Sequence, residues 1–204
     1  PLNWAKRRRT TYRDYCESIH VIAASAREHG KDFWCCIQTF AWVPSKRTPT
    51  EAEFRWQSYC MLSFGCKGLL CWTYAGYQPD CPSLITIDGQ RTNAWYDAAT
   101  TFKEIRKISD AFVRYKNLGA LAHNCTPATP YLKFSKPVQT FPTIEQIQCD
   151  DPLLVGCFAK KDGRGTAFTL VNMSELEAVK TAQVKLKIAG SKVVAWPRGQ
   201  RTQL

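Results

Sequence analysis

Apolar positions in the first 120 residues alternate between a helical spacing and short continuous runs. Tyr12, Tyr15, Ile19, Ile22 and Ala26 recur at steps of three and four, which predicts an amphipathic helix over residues 11–29 closed by Gly30. The run FWCCI follows at 33–37. It is too short for a helix and too apolar for a strand with one wet face, so it predicts a buried strand. Within VPSKRTPTEAEF, Thr50 and Glu53 have the spacing of a capping box, with Pro49 just ahead of the cap. The helix that starts there carries Phe54, Met61 and Leu62 and ends near Gly65. KGLLCWTY, at 67–74, predicts a second buried strand. A loop through Pro79, Pro82, Asp88 and Gly89 then leads to a long helix from about Thr92, with Trp95, Phe102, Ile105 and Phe112 on its inner face. The order helix, strand, helix, strand, helix implies parallel strands covered by helices.

The pattern changes after about residue 120. NCTPATPYLKFSKP has three prolines and the character of a linker. LLVGCFAKKDGRGTAFTLVNMS reads as two strands around Asp162-Gly163, a hairpin signal. AQVKLKIAG and KVVAWPRG are further strand candidates, and helical spacing fades. The expected division is therefore 1–120, an α/β part, and 121–204, a linker with an incomplete antiparallel β-sandwich.

Composition narrows the class. With 204 residues, 45% hydrophobic and 22% charged, the chain is an ordinary globular one that can bury a sizeable core. No apolar run approaches the roughly 20 residues of a membrane span. PLNWAKRRRT has neither an initiator Met nor the apolar stretch of a secretory signal, and the chain reads as cut from something longer. The compartment is left unassigned.

The net charge of +11 raises the question of nucleic acid. Residues 1–123 hold 17 basic and 11 acidic side chains and residues 124–204 hold 11 and 6, so the surplus is spread over both parts. Lys6-Arg7-Arg8-Arg9 is the one dense cluster and reads as a solvated loop. No RNP, helix-turn-helix or zinc-finger pattern accompanies it, and nucleic acid is not the expected partner.

The ten cysteines include no CxxC pair and no Cys/His set at zinc spacing, so no metal is expected. Cys35 and Cys36 should face opposite sides of a strand, and most of the ten read as small buried hydrophobes. A disulfide from an exposed position such as Cys81 stays open.

Two strand–helix units cannot close a parallel sheet, whereas a (β/α)8 barrel takes about 250 residues. The initial PL resembles the end of a D-x-Y-P-L turn after strand six of such a barrel. DFWCCIQTFAW resembles strand seven with its loop, and RTPTEAEFRWQSYCMLSFGCKGLLCWTY resembles helix seven running into strand eight. LITIDGQRTNAWYDAATTFKEIRKI resembles the next loop and helix eight. Together these are similar to glycoside hydrolases of the β-galactosidase-like clan, near family 42, in which a β-sandwich often follows the barrel. The resemblance implies an α/β fold: the last quarter of a (β/α)8 barrel, from helix six to helix eight, with part of a trailing β-sandwich.

It also implies a site. Barrel active sites lie at the carboxyl ends of the strands, which places Gln38, Thr39, Phe40 and Trp42 after strand seven and Trp72, Tyr74 and Tyr77 after strand eight. Aromatic rings stack on the C–H faces of sugars, and amides read their hydroxyls. Gln38, Trp42, Trp72, Tyr74 and Tyr77 are therefore the expected contacts to a carbohydrate, with no cofactor.

Hydrolysis in this clan needs an acid/base from strand four and a nucleophilic Glu at the end of strand seven. The first is outside this chain, and Gln38 stands where the second is expected. An amide cannot form a glycosyl ester. The catalytic residues are thus unassigned, and two readings follow: a piece of a glycosidase, inactive alone, or a sugar-binding protein that does not cleave. Asp80 is the one other acid near the expected site. Glu53 reads as a cap and Asp88 as a turn residue. His20, His29 and His123 pair with no nucleophile in the pattern.

Overall fold

The computed structural model describes residues 15–41, 47–79, 81–125, 134–174, 183–189, 194–195 and 202–203. Trp42, Asp80 and the Lys6–Arg9 cluster lie outside the described residues. The described elements begin with helix α1 (Tyr15–Glu28), strand β1 (Trp34–Gln38), helix α2 (Glu51–Ser63), strand β2 (Gly68–Trp72) and helix α3 (Asn93–Phe112). Strands β3 (Tyr115–His123), β4 (Ile144–Gln148), β5 (Leu153–Lys160) and β6 (Thr166–Asn172) follow. The last are β7 (Lys185–Ile188), β8 (Val194–Ala195) and β9 (Thr202–Gln203).

β1 and β2 form a two-stranded parallel sheet, in register from Trp34 opposite Gly68 to Gln38 opposite Trp72. Side chains alternate between its faces. Ile37 is in the core, with Cys35, Leu69 and Cys71 packed against it. Trp34, Cys36, Leu70 and Trp72 occupy the other face and are exposed, Trp34 at 64% and Leu70 at 46%. Among the described residues this face is uncovered, although parallel sheets are normally buried on both.

α2 starts as its sequence dictates. The Thr50 hydroxyl accepts from the Glu53 N–H (3.3 Å), and the Glu53 carboxylate accepts from the Thr50 N–H (2.8 Å). Arg47 grips the same carboxylate with two nitrogens, at 2.7 and 2.9 Å. Burial works against the Glu53 charge, but the bonds from Arg47 and Thr50 outweigh it and hold the carboxyl below its ordinary value. The resulting stability is complete above the ordinary value of 4.5 and is lost as pH falls through the depressed folded value. Thr50→Ala should cost about 1 kcal/mol. Glu53→Gln should flatten the acid limb of a Tm-against-pH curve; an unchanged limb would remove Glu53 from the account.

α1 presents Cys16, Ile19, His20 and Ala23 to the core, whereas Ile22, expected on that face, is exposed together with Val21. The buried stripe is therefore rotated by about one residue from the predicted one. α3 buries Ala94, Ala98 and Thr101, with Trp95 and Phe102 packed against the same core. Arg55 on α2 bridges to Glu104 on α3 at 2.9 and 2.7 Å.

The antiparallel sheet has the order β3-β5-β6, with Asp162 and Gly163 in the turn between β5 and β6. β3 follows directly on α3, so residues 120 and 121 both lie inside this strand. β4 pairs with β7, and β8 with β9, as separate antiparallel pairs. α2 packs across β5 and β6, and one apolar cluster takes in Ile37, Phe54, Phe64, Leu154, Val171 and Met173.

Polar contacts seal that junction. The Asn117 amide donates to Ser63 O (3.0 Å) and accepts from Arg27 (2.9 Å), and the Ser63 and Thr169 hydroxyls lie 2.7 Å apart. All ten cysteines are free thiols, and Cys81, expected near the surface, is fully buried.

Candidate functional site

The carboxyl ends of β1 and β2 lie side by side, and Thr39 N–H donates to Trp72 O at 3.0 Å. Three hydroxyl side chains lock these ends together. Thr39 and Ser83 both donate to the Thr73 carbonyl, and Thr92 donates to the carbonyls of Ser83 (2.6 Å) and Leu84 (3.0 Å). The β2–α3 loop is laid against the same ends. Ala41 N–H donates to Pro82 O at 2.8 Å, and Tyr74 and Gly76 exchange main-chain bonds with Ile85 at 3.2 and 2.8 Å. The peptide joining Trp72 and Thr73 is cis.

On this frame the expected contacts fall into two kinds. Trp72, Tyr74 and Tyr77 are 60%, 56% and 52% exposed. Tyr77 also leans on the buried Phe40 ring, centroid to centroid 6.3 Å. Gln38 is buried, at 3% exposure. Its Nε2 donates to Phe40 O at 3.1 Å, while its Oε1 is buried without a hydrogen-bond partner. Gln38 and Trp72 are register partners at the strand ends, and Tyr74 and Tyr77 lie on the loop that follows β2; Trp42 is outside the described residues.

The reading from sequence missed Gln57. It is fully buried on α2; its Oε1 accepts from the Gln38 N–H at 2.9 Å and its Nε2 donates to Gln38 O at 3.4 Å. Nothing in the stretch FRWQSYCML, which also holds Arg55 and Ser58, singles Gln57 out, because its partner is a main chain 19 residues away. The arrangement resembles a strand neighbour, with one amide meeting both polar groups of the strand's last residue.

No described acid takes up the role of a nucleophile. Asp88 is a surface turn residue that accepts from the Thr86 hydroxyl, a bond that keeps its carboxyl below the ordinary range. His20 packs among Phe64 and Phe134, and burial lowers its affinity for a proton. His29 meets the Ser25 carbonyl and His123 the Cys149 carbonyl. Among the described residues no group of three or more His, Cys, Asp or Glu could hold a metal ion, and no helix is long and apolar enough to cross a membrane.

No family model matches the chain, and no curated protein or solved structure matches it.

Proposed function

We propose that residues 1–120 are the closing strand–helix units of a (β/α)8 barrel of the glycoside-hydrolase type and that the ligand is a β-linked sugar held at the carboxyl ends of β1 and β2. One observation carries the reading. Three exposed aromatic side chains follow in close sequence, Trp72 at the end of β2 and Tyr74 and Tyr77 on the loop after it, and Trp72 is the register partner of a buried amide, Gln38. Aromatic faces beside a hydrogen-bonding amide suit a ring with C–H patches and hydroxyls.

Of the two functional variants, the chemistry around Gln38 favours binding without cleavage. The 3.1 Å contact to Phe40 O needs a donor, which an amide has and a carboxylate lacks. A Glu in this position would set a negative oxygen against a carbonyl oxygen. The position is thus matched to an amide and opposed to an ionised nucleophile.

Calorimetric titration of the intact polypeptide with phenyl β-galactoside and its β-glucoside counterpart tests this. We expect saturable binding of at least one glycoside, no hydrolysis, and about a tenfold loss of affinity in Trp72→Ala, the size of one stacking contact near 1.4 kcal/mol. Equal affinity in Trp72→Ala would overturn the site, and turnover would overturn the binding variant.

A further inference from the structure

We infer that residues 134–136 form a pH-released strap, clasped to α1 and opened when His20, which it covers, takes up a proton. The inference is independent of the sugar-site reading. Phe134 lies against the His20 ring, centroids 5.3 Å apart, and meets the buried Phe64 edge-on at 5.2 Å. The N–H and the hydroxyl of Ser135 both donate to the Glu17 carboxylate on α1, the hydroxyl at 2.7 Å. Farther on, Val138 N–H donates to Ala120 O at 2.8 Å, so the chain is tied to β3 just beyond the strap. Lys136 has left-handed backbone, φ 51°, which is unfavourable for a residue with a Cβ. The strap is therefore held by its contacts with α1 and the core, against its local preference.

The imidazole decides whether those contacts can persist. His20 is 5% exposed between Phe64 and Phe134, and its Nδ1 is buried without a hydrogen-bond partner. A neutral ring fits, because one of its nitrogens carries no hydrogen. In the imidazolium both nitrogens are donors, and Nδ1 would become an N–H without an acceptor inside an aromatic cluster. Burial opposes the proton most strongly; Glu17 on α1 favours it, whereas Arg27 on α1 and Lys136 on the strap oppose it. Glu17 is held below its ordinary range by the Ser135 hydroxyl and stays ionised where His20 titrates. Lifting the strap gives Nδ1 to water and removes the penalty. The closed form is thus fully favoured above the ordinary histidine value of 6.5 and loses ground as pH falls from there through its own lowered value.

Hydrogen exchange of the intact polypeptide, followed by NMR and corrected for the intrinsic effect of pH, reads the strap through the Ser135 amide. Between about pH 7.5 and about pH 5.5 its protection should fall about tenfold, the gain of an open form whose imidazole titrates normally. The Val138 amide should keep its protection within about twofold, because it is anchored beyond the strap. His20→Phe, which keeps an aromatic ring and removes the titration, should make the Ser135 protection independent of pH.

Protection of Ser135 that does not change with pH in the wild type overturns the inference without any variant having to fold. An equal fall at Val138 and along α1 overturns it too, since the whole fold would then be opening. A fall that persists in His20→Phe removes His20 as the trigger and overturns it as well.

Discussion

Gly156→Val should destabilise the protein by about 3 kcal/mol or more, the upper range for forcing volume into a packed core. Gly156 lies in β5 beneath the end of α2. A Cβ there would sit 2.4 Å from Ser63 O and 2.7 Å from Ser63 Cα, so the obstacle is main chain and cannot swing aside. The same Cβ would lie 2.5 Å from Thr169 Oγ1, whose bond to Ser63 would be displaced. Relief requires α2 to lift off the antiparallel sheet, pulling on Phe54 and Phe64 in the common cluster. With about 2–4 °C of Tm per kcal/mol for a chain of this size, the midpoint should fall by roughly 6–12 °C. Tryptophan fluorescence, which sums the chain's seven tryptophans, the buried Trp56 among them, and far-UV circular dichroism should move together. A variant that shifts one signal and spares the other would show that the helices and the β5–β6 sheet do not share a core.

The second large effect concerns the uncovered face of the parallel pair. Expressed as an isolated 204-residue chain, the protein is expected to self-associate, because Trp34 and Leu70 expose apolar surface beside the open edges of a two-stranded sheet. Leu70→Lys should shift the isolated chain towards monomer in light scattering and leave its circular dichroism unchanged. In the closed barrel of the proposal this face is the packed interior, and the same substitution buries an ammonium group at a cost of several kcal/mol. One substitution therefore improves the isolated chain and damages the completed barrel. A neutral or favourable effect in both contexts would contradict the barrel placement.

Local signals were legible where residues act on their neighbours. The Thr50–Glu53 pair marked the start of α2, the FWCCI and GLLCW runs marked β1 and β2, and Asp162-Gly163 marked the β5–β6 turn. β3 was not legible. It follows α3 after a two-residue step, carries Gly119 in its interior, and bulges between Asn117 and Gly119, so neither a clean alternation nor a turn announces it. β4, IEQIQ, is short and largely polar and gains its identity from pairing with β7 some 40 residues on.

The face of α1 was misplaced because Cys16 and Ala23 are small, and the larger Ile22 drew the stripe away from them. At the site, residue types suggested Gln38 and the aromatic group, whereas Gln57 became visible only through the main chain it holds. Side-chain-to-backbone contacts of that kind have no periodicity.

The ligand is proposed to bind at the carboxyl ends of β1 and β2. Trp34 and Trp72 lie on one face of the parallel pair at opposite ends, four residues or roughly 13 Å of strand apart. Nitrogen-15 indole spectra of the intact polypeptide, recorded during titration with phenyl β-galactoside and its β-glucoside counterpart, separate the two ends directly. The account predicts that at least one glycoside shifts the Trp72 indole saturably while Trp34 and the buried Trp56 stay still. Shifts at Trp34 with Trp72 unmoved, or none at either with both glycosides, would contradict it.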